Sequence, residues 1–443
     1  MRHQHVRPRT RRPVHTAAAA GVAVLGCLAA GVPPAASAAA APATSRISVD
    51  SSGGQATEYR SHPFAASADG RYVAFTTAAP NLVPGDTNNT WDVLVRDRRT
   101  GTTSRISASS AGVPGDSSSY GQAMSPDGRY VSFTSDATNL VPGDTNGAYD
   151  GFVHDRRTGT TSRVTLTDGG TQADARSYAP AISADARFVA FVSDATELVP
   201  GDTNGMADIF LRDRRAGTTV LVSGAHADAP SDAPVISADG RFVAFTSEAA
   251  LVPGDTNGVA DVFQRDLRTG TIQRVNVTTA GAQAEALTVS PTMSADGRYV
   301  AFTSEAALVP GDTNGVADVF LRDLRTGTTV RVSLAADGGQ ALDGSSYGPM
   351  VGADGRQVVF SSDATNLVPG DTNGVADVFL RDLRTGTTVR VSLAADGGQP
   401  NGASNDGVLI RDGRSVAFAS AATNLVPGGT NGETDAVLRL LTR

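Results

Sequence analysis

From residue 44 onward, apolar residues come in short runs of alternating character, cut by clusters of Gly, Pro, Asp and Asn. The stretch 294–334, SADGRYVAFTSEAALVPGDTNGVADVFLRDLRTGTTVRVSL, holds three such runs, at 298–303, 317–324 and 328–334. Each is rich in Val, Phe or Tyr and reads as a β-strand. A shorter run, 287–293, leads in as a fourth. In the first run Val300 and Phe302 face one way while Tyr299 and Ala301 face the other, so both faces are apolar and both must be covered. The last run differs: Val330, Val332 and Leu334 alternate with Arg331 and Ser333, the pattern of a strand with one side toward solvent. Lead-in runs such as 233–237 (APVIS) and 291–294 (PTMS) favour small residues, which fits crowding near a central channel.

Four short strands make a sheet too small to bury its own faces, so neighbours of the same kind must cover it. Three markers count those neighbours. A turn aspartate precedes the first long strand at Asp69, Asp127, Asp185, Asp239, Asp296, Asp354 and Asp412, and that strand ends in Phe75, Phe133, Phe191, Phe245, Phe302, Phe360 and Phe418. A second aspartate opens the next strand at Asp92, Asp150, Asp208, Asp261, Asp318, Asp377 and Asp435. All three give seven copies at a period of 53 to 59 residues, with nothing between them that resembles a linker.

The ends of the repeat array predict how it closes. The last copy stops after its third strand, 435–441, whereas TSRISVD at 44–50 precedes the first copy and matches TTVRVSL. A strand lent by the N-terminal side to the final blade closes a ring and leaves only short, protected edges. The expected fold is therefore all-β: a single domain, 39–443, forming a seven-bladed β-propeller of four-stranded antiparallel blades, closed by an N-terminal strand that completes the last blade.

Residues 1–38 read differently. The first fifteen carry five arginines and no acid, 16–32 is an apolar run of Ala, Gly, Val and Leu, and Ala36-Ser37-Ala38 supplies a cleavage pattern. This is a secretory signal peptide, too short and too rich in Ala and Gly for a membrane span. Thr10-Arg11-Arg12 leaves the twin-arginine route open beside the general one. Cys27, the only cysteine, sits in VLGC, where cleavage would give a lipoprotein, but Leu25 suits such a site poorly and the A-x-A site reads better. Cleavage at Ala38 removes that cysteine and with it any disulfide or thiolate metal site. The whole chain has 37 basic and 45 acidic residues, a formal charge of −8; without 1–38 the balance is 32 arginines against 45 acids, or −13. So acidic a chain, with no basic stripe, argues against nucleic acid and anionic membrane as partners. A secreted or extracytoplasmic monomer is expected.

The S-[AP]-D-G-R run, the apolar strand ending in Phe, the following D-[VI]-F-x-R-D and the R-T-G turn together resemble the TolB-like β-propeller repeat, also called the PD40 or WD40-like repeat. The resemblance covers everything after residue 38, and its motifs are specific to the repeat rather than to an activity. It implies the propeller fold. The chain departs from TolB in showing seven repeats where TolB's propeller has six and in having no preceding α/β domain, so a role in the Tol envelope machinery is not implied. Some propellers of this type are attached to serine peptidases or act as oligogalacturonate lyases. With no peptidase domain after Arg443, the first activity is not expected.

Candidate chemistry is sparse. After residue 38 only His62, His154 and His226 remain, in different copies; His154 stands where the fifth copy has Arg322, and His62 and His226 fall in the segments joining blades. No H-E-x-x-H appears. The loop VPGDTNG recurs with Asp86, Asp144, Asp202, Asp255, Asp312 and Asp371, and Gly429 replaces the aspartate in the last copy. Asp312, Asn314 and Asp318 space as D-x-N-G-x-x-D, which is two residues shorter than an oxygen-rich calcium loop and lacks its bidentate glutamate. Two readings stay open: a turn in which Asp caps and Asn-Gly supplies positive φ, or a structural calcium site. No other cofactor is expected.

Residues 308–340 and 367–399 are identical over 33 positions, a uniformity that suits a scaffold or binding surface better than an enzyme site. Variation concentrates in connectors such as 109–121 and 223–234, which emerge on the same face of a propeller as the loops between second and third strands. Tyr120, Tyr178, His226 and Tyr347 are the expected ligand contacts there. The function expected is an exported binding or scaffold module for a protein, peptide or carbohydrate. An extracellular polysaccharide lyase or glycosidase is the first alternative, and a calcium-stiffened repeat protein the second.

Overall fold

The computed structural model describes residues 44–224, 227–429 and 431–441; residues 1–38, read from the sequence as a signal peptide and containing Cys27, and His226 lie outside them. Seven antiparallel sheets of four strands are present. We number the blades 1 to 7 by their innermost strands, which open at Ser61, Ser119, Ser177, Ser231, Thr288, Ser346 and Ser404. Each innermost strand packs beside that of the next blade, and the strand of blade 7 packs beside that of blade 1, so the blades form a ring. Among the described residues there is no helix, and none could cross a membrane.

The core lies between blades. In blade 5 the second strand (Tyr299–Ser304) pairs with the third (Asp318–Asp323) so that Phe302 stands opposite Phe320, their rings stacked at 6.0 Å. Blades 2, 3, 4 and 6 repeat the pair at 5.5 to 6.2 Å, and every one of these phenylalanines is fully buried. Burying such a ring contributes about 1.5–3 kcal/mol, and no blade can bury both its faces without neighbours. Ala301 and Val319 of blade 5 accordingly pack on Val358, Phe360 and Phe379 of blade 6. Val408 and Leu438 of blade 7 pack on Val73 and Phe75 of blade 1, closing the core as well as the sheet order.

Closure follows the expected route. Thr44–Arg46 pairs with the third strand of blade 7, Asp435–Leu440, in the register Thr44 to Arg439 and Arg46 to Val437. Arg46 Nε donates to Asp435 Oδ2 at 2.8 Å, and Ser48 Oγ donates to Asp435 Oδ1 at 2.9 Å.

The outermost strand corrects one expectation. In blade 5 it runs only over Thr328–Arg331; beyond it the N–H groups of Val332 and Ser333 both reach the carbonyl of Val319, a local break in the ladder. The alternation is broken with it: Val330 is exposed, whereas Arg331, Val332 and Ser333 are buried. Arg331 turns inward because two carboxylates, Asp312 and Asp318, lie within 3.1 Å of its Nη1. A hydrophobic periodicity cannot report an arginine held by acids.

Candidate functional site

Every innermost strand opens on a buried hydroxyl that bonds to the hydroxyl closing the second strand, as Ser119 does with Ser135 at 2.9 Å and Ser346 with Ser362 at 2.9 Å. Side chains alternate along a strand, so the next residue turns to the opposite face of the blade from this anchor. Those residues are His62, Tyr120, Tyr178, Asp232, Val289, Tyr347 and Asn405, one per blade. The sequence singles out Tyr120, Tyr178 and Tyr347 among these but not their common position, although it carries a signal for it: a position where the copies disagree, directly beside one where they agree. His62 is the second residue of the strand Ser61–Ala66, not part of a joining segment.

One residue further on, the innermost strands of blades 3 to 7 place Ala179, Ala233, Ser290, Gly348 and Asp406 at φ of 53 to 58°, each at a shift of register against the second strand. In blades 3 to 6 a proline follows: Pro180, Pro234, Pro291 and Pro349. Bulge and proline blunt the inner edges, which face the channel and could otherwise pair with another strand. In blades 1 and 2 the bulge falls later, and Phe64 lies where a side chain on Gly121 would sit, 1.9 Å from its ideal Cβ.

A cavity of about 570 Å³ fills the mouth of the channel on the connector face, lined by blades 1, 2, 5, 6 and 7. His62, Trp91, Tyr120, Tyr347 and Asp406 contribute to its wall. The single tryptophan, Trp91, sits between His62 and Tyr120, with ring centroids 6.4 and 6.2 Å away, and Tyr149 continues the arc 6.4 Å beyond Tyr120. Across the junction of blades 1 and 7, His62 Nδ1 lies 2.8 Å from Asp406 Oδ2, with both side chains partly open to solvent (38% and 51%). Tyr347 donates its hydroxyl to Asn405 Oδ1 at 3.2 Å.

Electrostatically the mouth is acidic. Asp136, Asp194, Glu248, Glu305 and Asp363 follow the second strands of blades 2 to 6, none of them buried, around the inner acids Asp232 and Asp406. Arg176 is neutralised by Asp194 at 2.5 Å. Burial first, and then the negative charge of Asp232, pushes Tyr178 up to about 12, while burial and Asp363 do the same to Tyr347. Both phenols stay protonated donors at neutral pH.

Of the expected ligand contacts, Tyr120 and Tyr347 share the cavity wall; Tyr178 lies in blade 3 outside that wall, under Arg176 at 5.1 Å. His154 is a buried strand residue whose Nδ1 lies 2.9 Å from Thr161 Oγ1, the contact that Arg322 makes with Thr329. Gly344-Ser345-Ser346-Tyr347-Gly348 spells G-x-S-x-G, but Ser346 is a buried anchor hydroxyl on a strand and not a serine exposed on a strand-to-helix elbow.

The VPGDTNG loops lie apart from the mouth wall. In blades 1, 2, 4, 5 and 6 an arginine spans the loop aspartate and the strand-opening aspartate: Arg105 between Asp86 and Asp92, Arg163 between Asp144 and Asp150, Arg274 between Asp255 and Asp261, Arg331 between Asp312 and Asp318, and Arg390 between Asp371 and Asp377. Asn314 Nδ2 donates to Asp318 Oδ2 and to the Ala341 carbonyl, tying the loop to the connector. Burial nevertheless pushes Asp92 and Asp150 up to about 6 against the pull of their arginines. No group of three or more His, Cys, Asp or Glu side chains spaced to hold a metal occurs among the described residues.

The chain matches no protein-family model and no curated protein. Among solved structures it is similar to an oligogalacturonate lyase in complex with manganese, with a TM-score of 0.54 and 14% identity over 90% of this chain and 93% of that one. It is also similar to the β-propeller domain of the Trilobed protease from Pyrococcus furiosus, with a TM-score of 0.50 and 12% identity over 82% and 90%. A putative TolB from Agrobacterium tumefaciens gives 0.43 and 15% over 87% and 100%. At these identities the likeness is one of fold, and the fold is the propeller that the TolB-like repeat implied.

Proposed function

We propose that the protein is an exported binding module whose ligand seats in the channel mouth, on the arc formed by His62, Trp91, Tyr120 and Tyr149. The observation that carries this reading is the arc itself. The phenylalanine pairs are spent on the core, whereas the one tryptophan and two tyrosines line up at 6.2 to 6.4 Å beside an open cavity. Flat aromatic faces backed by carboxylates suit the sugar rings of a glycan: the rings stack on its apolar faces and Asp406 accepts from its hydroxyls. Calorimetric titration of residues 39–443 with neutral oligosaccharides, with peptides in parallel, tests it. Replacing Trp91 and Tyr120 together by alanine should weaken oligosaccharide binding tenfold or more, equivalent to about 1.4 kcal/mol, with little change in melting temperature. Unchanged affinity in that variant, or binding of peptides alone, sinks the glycan reading.

The His62 and Asp406 pair favours a second reading. A carboxylate on Nδ1 orients an imidazole and leaves Nε2 facing away from it, the arrangement of a general base. On a polysaccharide such a group would serve a lyase or glycosidase; the lyase among the similar structures, at 14% identity, lends the fold only. Turnover that His62→Ala abolishes while binding persists would favour the enzyme over the module.

A further inference from the structure

Charge in the loops follows a rule that blade 3 breaks. Where two aspartates face each other an arginine lies between them, at 3.0 to 3.3 Å from each. In blade 7, which has Gly429 in place of the loop aspartate, Arg46 serves Asp435 alone. Blade 3 keeps both acids, Asp202 and Asp208, but has Leu221 where the other blades have arginine. The two carboxylates are 7% and 0% exposed, and neither has an ion-pair partner among the described residues. Asp208 is held by Ser223 Oγ at 2.5 Å and by Asn204 Nδ2 at 2.9 Å. Asp202 Oδ1 has no hydrogen-bond partner among the described residues. Two buried carboxylates without a counter-charge are strongly unfavourable, and breaking a buried pair by removing its cation leaves that cost uncompensated.

We propose that blade 3 binds a calcium ion between Asp202 and Asp208, in the place the guanidinium occupies in the other blades. The donors are all oxygen. Besides the carboxylates, the Gly201 carbonyl is the counterpart of the Gly254 and Gly311 carbonyls, which accept from Arg274 Nη2 at 3.1 Å and Arg331 Nη2 at 3.2 Å. Hard oxygen ligands select calcium over softer transition metals, and water completes the six to eight positions it requires. Leucine is shorter than arginine and carries no donor, so the exchange at residue 221 vacates the charge position without filling it. The site is thus a single one, confined to the blade that lacks its arginine, and it concerns the stability of blade 3 and not the channel mouth.

Thermal unfolding of residues 39–443 in EDTA and in millimolar calcium tests the proposal. A ligand held only by the folded state raises the melting temperature with the logarithm of its concentration, so the parent protein should gain a few degrees in calcium. Asp202→Asn should abolish the gain. Leu221→Arg should melt higher than the parent in EDTA and gain nothing from calcium, because the guanidinium then fills the place. His226, which lies outside the described residues, stands in sequence where other copies have Gln172 and Gln283; His226→Gln should keep the calcium gain. No gain in the parent, a gain that survives Leu221→Arg, or one lost in His226→Gln overturns the assignment.

Discussion

Two families of aspartate carry opposite pH signatures. Arg71 holds Asp97, Arg129 holds Asp155 and Arg298 holds Asp323 well below the ordinary aspartate range through bidentate hydrogen bonds. A carboxylate lowered on folding contributes stability above its unfolded value of 3.8 and loses it as pH falls through the folded value. Asp92 and Asp150 run the other way: burial raises them to about 6, so the folded state holds their protons more tightly and stability declines as pH rises from about 4 to about 6. Melting temperature against pH should therefore fall on both sides of a maximum in the mildly acid range. The double variant Asp92→Asn, Asp150→Asn should flatten the limb between pH 4 and 6 and leave the more acid limb in place; an unchanged upper limb rules out these two groups as its cause. Little of this was legible in the sequence. Strand-opening aspartates were visible as markers, but their arginine partners stand thirteen residues on, in a run whose alternation pointed them toward solvent.

At the scale of the element, the turns between first and second strands were the most legible part, because one side chain does several jobs there. Asp296 accepts from Ser294 Oγ at 2.6 Å and from the Arg298 N–H at 3.1 Å, and Gly297 supplies the positive φ that follows. Packing adds a demand the sequence does not display. A Cβ on Gly355 would lie 2.1 Å from the ring of Tyr299 in the preceding blade, whereas one on Gly311, at φ of 82° in a loop, would meet nothing within 4 Å. Gly311→Ala should cost only the left-handed backbone penalty, about 1–2 kcal/mol. Gly355→Ala should add overpacking of about 1–3 kcal/mol and melt clearly lower. Equal losses would show that the ring of Tyr299 moves aside freely. The loop D-x-N-G admits two readings in the sequence, and its geometry shows why: Asn314 clamps loop to connector whatever fills the space beside the aspartate.

For the whole molecule, seven blades and their closure followed from repeat counting because a small sheet with two apolar faces has few ways to be covered. Deleting 44–50 should strip Arg46 and Ser48 from Asp435 and expose the third strand of blade 7 as an edge. The variant should melt lower and aggregate; a monomer as stable as the parent would mean that closure through the core of blades 7 and 1 suffices alone. What repeat counting could not deliver was the ring at the mouth, since it consists of the residues that do not repeat. Rotating the scaffold by one blade lays anchor hydroxyl on anchor hydroxyl, and in most blades phenylalanine on phenylalanine. The order His62, Tyr120, Tyr178, Asp232, Val289, Tyr347, Asn405 survives no such rotation. It acts as a compass laid on an almost featureless dial, and a ligand spanning several of these side chains can settle at only one azimuth.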